Sequence, residues 1–443
     1  MKSLWKWCAV GVIVVTVLSV LVGTPGGKAQ DSGWTTQVLA EGADTAKNRV
    51  IYPDVAVDSR FNEDPTDDHI YVTYIDQAAN TVWLLVSKKG GAPGSWEKFE
   101  VTKPTERVNG TAVAVDSFKE FDKVCVVWQQ FGDAGPEVWQ RCAEVRDGDK
   151  ADVKWQSDPV RVSGEGLIAG QHDLQGDWSG SFDNYMWSTQ DGFIEYVIWT
   201  EDYTTLKAAK SKDGVTKESC GEFPDQDATF VRFPTIYVDA KGRVFAGATQ
   251  TASPADVQVW VSYDQCATWK GPTNVTANAG FSDAPEFAVI GDKFYSDNDD
   301  TTTNPNNVDI NFSECDVTPD AGLANCKGTR AIIKDAAWAR MKVDEKGNLH
   351  VVGNNQGETG LVDYCFSSDG GATWKGEAIP NSKPNNPGFR DPDYGIIIAR
   401  NNIAVDWPAV YVVWNTRGEG KSKIMLSVRS APPAKDAAAT CAP

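Results

Sequence analysis

Along most of this chain apolar and polar residues alternate with a period of two in short runs. That is the pattern of strands with one buried face. One phrase recurs: an apolar strand ending in Val-Asp, a turn, then a second strand ending in an aromatic or small residue. It reads VAVD (55–58) with IYVTY (70–74), VAVD (113–116) with VCVVW (124–128), and EYVIW (195–199). It continues as IYVD (236–239) with VFAGA (244–248), KFYSD (293–297), MKVD (341–344) with LHVVG (349–353), and VYVVW (410–414). The second strands end between 49 and 71 residues apart, room for four strands and their turns. No 3.6-residue period outlasts a turn or two, which excludes a helical solenoid.

The pattern predicts an all-β chain, a β-propeller of four-stranded antiparallel blades, which leaves only short, protected edges. Seven copies are counted; the fifth is the least regular, and without it the count is six. The last copy lacks an outer strand before an Ala/Pro-rich tail. The segment Trp34–Ala40 precedes the first copy and is the expected fourth strand, closing the ring.

Residues 1–29 read as a signal peptide, with Lys2 and Lys6 ahead of an apolar run from Cys8 to Val22 and a small-residue site before Gln30. The expected organisation is therefore a signal peptide (1–29), a propeller (30–430) and a tail (431–443). No other stretch is long and apolar enough to span a membrane, so the expected product is secreted or extracytoplasmic, with no stable membrane span after cleavage. The net charge is −19, and loss of three Lys with residues 1–29 takes it to −22. That excludes the basic footprint of a nucleic-acid binder. Three His among 443 residues make a His-ligated zinc enzyme a poor fit.

Eight of nine Cys lie beyond the leader, none in a C-x-x-C pair, and an even number in an exported chain implies disulfides. The expected links are Cys315–Cys326 as a loop staple, Cys125–Cys142 across a hairpin, and Cys365–Cys441 to pin the tail. Asn109, Asn274 and Asn311 stand in N-x-S/T sequons.

Third strands end in a second signature. Ser367-Ser368-Asp369-Gly370-Gly371-Ala372-Thr373-Trp374 is the full form; Ser262 to Trp269 matches it with Cys266 in a Gly place. Weaker forms begin at Ser87, Ser211 and Ser313. Such an Asp accepts the amides of its own loop, Gly takes positive φ, and Trp packs the loop onto the sheet.

S-x-D-x-G-x-T-W resembles the Asp-box (BNR repeat) of the sialidase-like propeller superfamily, and with the strand repeat the resemblance covers roughly residues 34 to 430. Gly176-Asp177-Trp178-Ser179-Gly180 is similar to a G-D-Y-x-G segment of secreted bacterial members. The resemblance implies a glycoside hydrolase of the exo-α-sialidase type, acting on terminal acidic sugars of glycans or glycoconjugates. In that family three Arg hold the substrate carboxylate, one of them in x-R-x-P, a Tyr is the nucleophile, and an Asp is the acid. A forked guanidinium matches a carboxylate bidentately.

Arg232 in Val231-Arg232-Phe233-Pro234 and Arg390 in Phe389-Arg390-Asp391-Pro392 match x-R-x-P. Arg49 and Arg107 stand near the equivalent place in the first two copies, as candidate substrate ligands, and Asp177 is the candidate acid. Asp283 takes the Arg place in the fifth copy. The family's x-R-x-P normally opens the first blade, whereas the best match here opens the fourth. The competing expectation is that these Arg pair with nearby Asp such as Asp54 or Asp391. No Tyr–Glu pair stands out; Tyr364 and Tyr394 are merely near strands.

Asp297, Asp299 and Asp300 are a candidate calcium cluster, since clustered oxygens suit Ca²⁺; the alternative is a solvated loop. No required cofactor is implied. Three readings follow: an exo-α-sialidase, a non-catalytic glycan- or protein-binding propeller, and a neutral-polysaccharide hydrolase with paired carboxylates across the funnel.

Overall fold

Successive side chains point to opposite faces of a strand, and in middle strands such as His69–Asp76, Val244–Gln250 and Val362–Ser367 both faces are buried. The computed structural model achieves this with seven antiparallel sheets, each packed on the next. It describes residues 33–441 apart from 44–48, 59–63, 119, 133–134, 147, 149, 164–181, 190–191, 202–203, 227–230, 251–254, 278–279, 303–307, 357–359, 383–389, 392–394, 397–400, 407, 418–420 and 431–440. The expected signal peptide lies outside the described residues.

From the innermost strand outward, blade 1 is Val50–Asp58, His69–Asp76, Thr81–Ser87 and Trp96–Thr102. Blade 2 is Val108–Ser117, Phe121–Gly132, Gly135–Arg146 and Val160–Arg161, with Asp152–Trp155 also on the third strand. Blade 3 is Phe182–Thr189, Gly192–Glu201, Thr205–Ser211 and Glu218–Ser219. Blade 4 is Val231–Val238, Val244–Gln250, Asp256–Ser262 and Lys270–Asn274. Blade 5 is Ser282–Ile290, Lys293–Asp300, Asp309–Thr318 and Gly322–Ile333. Blade 6 is Ala336–Val343, Leu349–Asn355, Val362–Ser367 and Lys375–Ala378.

Blade 7 takes Asn401–Asp406, Ala409–Arg417 and Ser422–Arg429 from the end of the chain and Trp34–Glu41 from its start. Trp34 stands opposite Arg429 and Gln37 opposite Leu426. The closure expected from the missing outer strand is therefore the one observed. The blade count is seven, and the irregular fifth copy is a complete blade. Among the described residues there is no helix, and Gly33–Pro443 forms one compact unit.

The Ser-Asp turns fold as their composition dictates. Ser367 Oγ donates to Asp369 (2.8 Å) and accepts from Gly371 N (2.8 Å); Asp369 accepts from Thr373 N (2.9 Å) and Thr373 Oγ1 (2.6 Å). Ser262, Asp264, Cys266 and Thr268 repeat the set at 2.6–2.8 Å. Ser211, Asp213 and Gly214 keep part of it. The expected turn at Ser313 is corrected: Asp309–Thr318 runs straight through it as strand.

The three expected disulfides form, and Cys220–Cys266 ties blade 3 to the blade 4 turn. Cys125 and Cys142 lie directly opposite on neighbouring strands. Asn109 (1% exposed) and Asn311 (2%) are buried, so neither sequon is accessible in the folded chain.

Candidate functional site in the central channel

The seven inner strands line one channel. Five of them slip register just after entry, between Ile51 and Asp54, Asn109 and Thr111, Arg232 and Thr235, Asp283 and Glu286, and Ala337 and Arg340. At each slip one residue has positive φ: Tyr52, Gly110, Phe233, Ala284 and Trp338. Pro53, Pro234 and Pro285 follow in three of them, and a bulge is where a strand tolerates Pro, since no ladder bond needs its missing N–H. The x-P of the sequence motif thus marks a bulge in the inner strand.

Beyond the bulge, two levels of the channel can be compared blade by blade. At the upper level stand Asp54, Ala112, Asp183, Thr235, Glu286 and Arg340 in blades 1 to 6; two residues on stand Ala56, Ala114, Tyr185, Tyr237, Ala288 and Lys342, with Ala404 in blade 7. Blades 3 to 6 therefore carry Asp183, Tyr185, Tyr237, Glu286, Arg340 and Lys342, all half-buried. At these levels blades 1, 2 and 7 offer Ala56, Ala112, Ala114 and Ala404, with Asp54 of blade 1 the charged exception. A cavity of about 210 Å³ lies between the two walls, with Ala56, Ala114 and Ala404 on one side and Tyr185 and Lys342 on the other.

The polar wall is electrostatically dense. Asp183 accepts from Ile236 N (3.0 Å) and Thr235 Oγ1 (3.1 Å) of the next blade. Burial, reinforced by the charge of Glu286, pushes Asp183 up to about 7. Arg340 Nη1 pairs with Glu286 Oε1 at 3.3 Å. Burial alone would lower Arg340 and Lys342, but the carboxylates of Glu286, Asp183 and Asp54 outweigh it and raise both. Tyr185 and Tyr237 lie with ring centroids 5.1 Å apart, their planes tilted by 58°, and share a hydroxyl hydrogen bond. Burial raises both phenols, so neither is a ready nucleophile at neutral pH. Asp54, pushed up to about 6 by burial, accepts from Val113 N (2.6 Å) and Val55 N (2.8 Å).

The candidates from sequence have other surroundings. Arg232 is half-buried; its Nη2 meets Asp283 Oδ2 at 2.6 Å, its Nε meets Oδ1 at 3.0 Å, and its plane lies over Phe281. The competing expectation of an Asp partner is met, with Asp283 in the partner's role. Arg49 is 6% exposed and its carbonyl accepts from Gln77 N. Arg107 is exposed, its guanidinium 5.5 Å from the Phe131 ring centroid. Arg390 sits in the ribbon Arg390–Asp391 paired with Gly395–Ile396, and its side chain is outside the description. Asp177 and Tyr394 lie outside the described residues. Tyr364 is buried, with its hydroxyl 2.8 Å from His350 Nδ1.

Asp297, Asp299 and Asp300 lie in a buried strand, which corrects the expectation of a solvated loop. Strand alternation also separates them. Asp297 and Asp299 face blade 6, where Asp299 accepts from Trp338 N and Ala339 N, while Asp300 points the other way and accepts from Ser282 Oγ (2.7 Å). The three do not gather around one point.

At the far end of the channel Asp58, His69 and Asp122 lie within 4.8 Å of one another. Tyr71 donates to Asp122 of the next blade, and Tyr411 donates to Asp68 in the same way (2.5 Å). The recurrence marks an inter-blade brace.

No protein-family model matches the chain, and no curated protein matches its sequence. Solved structures resemble it in fold. A protein of unknown function from Dyadobacter fermentans aligns with 10% identity and TM-score 0.49, over 89% of this chain and 98% of that one. Trypanosoma rangeli sialidase gives 10% identity and TM-score 0.49, over 89% of this chain and 59% of the sialidase, so this chain spans less than two thirds of that enzyme. Penicillium chrysogenum α-L-arabinanase gives 10% identity and TM-score 0.46, over 91% and 100%. None of these similarities assigns an activity.

Proposed function

We propose that this chain is an exported glycan-acting propeller, a glycoside hydrolase working at the polar wall of its channel. One observation carries the reading. Asp183 is pushed up to about 7 beside Glu286, which is paired with Arg340, above a cavity walled by Tyr185 and Lys342. A carboxyl still protonated near neutral pH next to a second carboxylate is the pairing that glycoside hydrolysis needs. In this reading Asp183 protonates the departing glycosidic oxygen. Glu286 stabilises the positive charge that develops on the sugar ring, with Arg340 fixing its position, and a water entering the cavity attacks the ring carbon and returns its proton to Asp183. Tyr185 and Tyr237 offer hydroxyls and ring faces to the sugar.

The charge of the wall favours a neutral sugar. Arg232 is engaged by Asp283 and Arg340 by Glu286, while Asp54, Asp183 and Asp297 add carboxyls at the same depth. The exo-α-sialidase form expected from the resemblance needs guanidinium groups turned to a substrate carboxylate. The four disulfides suit an oxidising compartment outside the cytoplasm.

The test is a panel of fluorogenic glycosides, neutral α-arabinoside and β-galactoside beside an α-sialoside, given to the mature chain and to Asp183→Asn. Release from a neutral glycoside, lost in Asp183→Asn, is the expected result. Release from the sialoside alone would restore the acidic-sugar form. Glycan binding without release from any would leave the non-catalytic propeller.

A further inference from the structure

Blade 5 buries an unusual stripe. Its second and third strands pair Asp300 with Asp309, Asn298 with Asn311, and Ser296 with Ser313. By the two-residue period these six side chains share one face. It is the face toward blade 4, because Phe294 and Cys315, next along the same rows, pack with Phe245, Val257 and Val259 of that blade. All six residues are buried, none more than 6% exposed. Two carboxylates directly opposite each other repel, and four further polar groups in an apolar interface are costly unless something satisfies them.

Part of the demand is met within the protein. Asp300 accepts from Ser282 Oγ (2.7 Å) and Thr302 N (2.6 Å), Asp309 from Asp335 N (2.9 Å), and Ser296 Oγ donates to the Asp297 carbonyl (3.0 Å). Three oxygens are left over. Asn298 Oδ1, Asn311 Oδ1 and Ser313 Oγ have no hydrogen-bond partner, and their residues are 0%, 2% and 1% exposed. All three lie in the same stripe as the two carboxylates.

The geometry points to a structural Ca²⁺ site between blades 4 and 5, built from Asn298 Oδ1 and Asn311 Oδ1 with the carboxylates of the adjacent pair Asp300 and Asp309; Ser313 lies a further step along the ladder, out of reach of the same ion. The donor set is all oxygen, mixing amide carbonyl and carboxylate, which is the set a hard cation of flexible coordination takes. Two carboxylates would balance the ion's charge, and the ion would remove the repulsion between them. The site uses only Asp300 of the acidic run; Asp297 and Asp299 belong to the opposite face. It stands apart from the glycan reading of the channel.

The test strips the mature chain with EGTA, then adds Ca²⁺ and follows heat of binding and melting temperature. One saturable Ca²⁺ per chain and a rise of several degrees in melting temperature are expected. Asp300→Asn keeps the side-chain shape and removes one charge, and should weaken Ca²⁺ binding by about tenfold or more. Asn298→Ala with Asn311→Ala should abolish it, while Asp297→Asn on the other face should leave it unchanged. Should the double variant fail to fold, Asp300→Asn alone decides. No Ca²⁺ binding by the wild type would overturn the site and leave the two amide oxygens to buried water. Equal binding by wild type and Asp300→Asn would overturn it too.

Discussion

Asp54 and Asp183 occupy the same level of the channel, one in blade 1 and one in blade 3, and both accept an amide from the next blade, Val113 N and Ile236 N. Their surroundings separate them. Both feel the charges of Arg340 and Lys342, but the cavity wall beside Asp54 is Ala56, Ala114 and Ala404 with Val, whereas Asp183 stands with Tyr185 and the second carboxylate Glu286. Asp54 uses both oxygens on backbone donors, Val55 N and Val113 N, and serves the ring. Asp183 takes a bond from Ile236 N and carries the field of a second carboxylate. A seven-fold scaffold thus uses one position for bracing on one side and for chemistry on the other.

The sharpest structural break of this contrast is Arg340→Met. It leaves Glu286 in the polar wall without its guanidinium, and removing one partner of a buried pair costs about 3–5 kcal/mol. Lys342 still faces Glu286, so the loss in urea unfolding should fall at the lower end. The same change at an exposed pair such as Lys421–Glu41 should be near neutral.

Asp54→Asn should cost less, about 1–3 kcal/mol, because an amide turns one acceptor into a donor aimed at a backbone N–H. Turnover should survive it, whereas Asp183→Asn should lose turnover and keep most of its stability. Equal loss of turnover in both variants would erase the distinction between the two walls.

The pH dependence of stability is smaller and follows from the sign of each shift. Asp54, Asp183, Asp283 and Asp299 are raised by burial to about 6, about 7, about 6 and about 7. A raised carboxyl binds more protons folded than unfolded, so its contribution is present at low pH and lost as pH rises through the folded value. The turn carboxylates Asp213, Asp264 and Asp369 are lowered by hydrogen bonds from their loops, which outweigh burial. Their contribution is lost on acidification below about pH 4. The melting temperature should therefore be higher at pH 6 than at pH 8, and fall again below pH 4. A melting temperature that climbs from pH 6 to pH 8 would contradict the burial of these groups.

The fold was legible because its signals are local and repeated: the period-2 strands, the Val-Asp ends, the Ser-Asp turns and the missing outer strand each name a piece of the ring. The Cys pairs were legible for the same reason. The site was much less so. The x-R-x-P match drew attention to Arg232, but its Pro marks a bulge and its Arg meets Asp283 across to the next blade, a partner 51 residues away in sequence. The polar wall had a signal in register. Counting back two and four residues from the Val-Asp end gives Ala56 and Asp54 in blade 1, but Lys342 and Arg340 in blade 6. Charged and aromatic residues at those places, where other copies carry Ala, mark the wall. Asp183 and Tyr185 lie in a copy without the Val-Asp end, so the register there came only from strand pairing.

Braces show the same limit. Tyr71 and Tyr411 reach Asp122 and Asp68 of the following blade, but Tyr196 at the same place has a buried hydroxyl with no hydrogen-bond partner. Only the sheet register shows which of these tyrosines is satisfied.

The central claim is that Asp183 supplies the proton in a glycan-cleaving channel. The most direct measurement is kcat/KM against pH on the best neutral glycoside, for the wild type and Asp183→Asn. The wild type should lose activity as pH rises past about 7, the value to which burial and Glu286 push this carboxyl, and Asp183→Asn should retain under about 1% of it at every pH. An Asp183→Asn enzyme with the wild-type rate and the same falling limb would contradict the account.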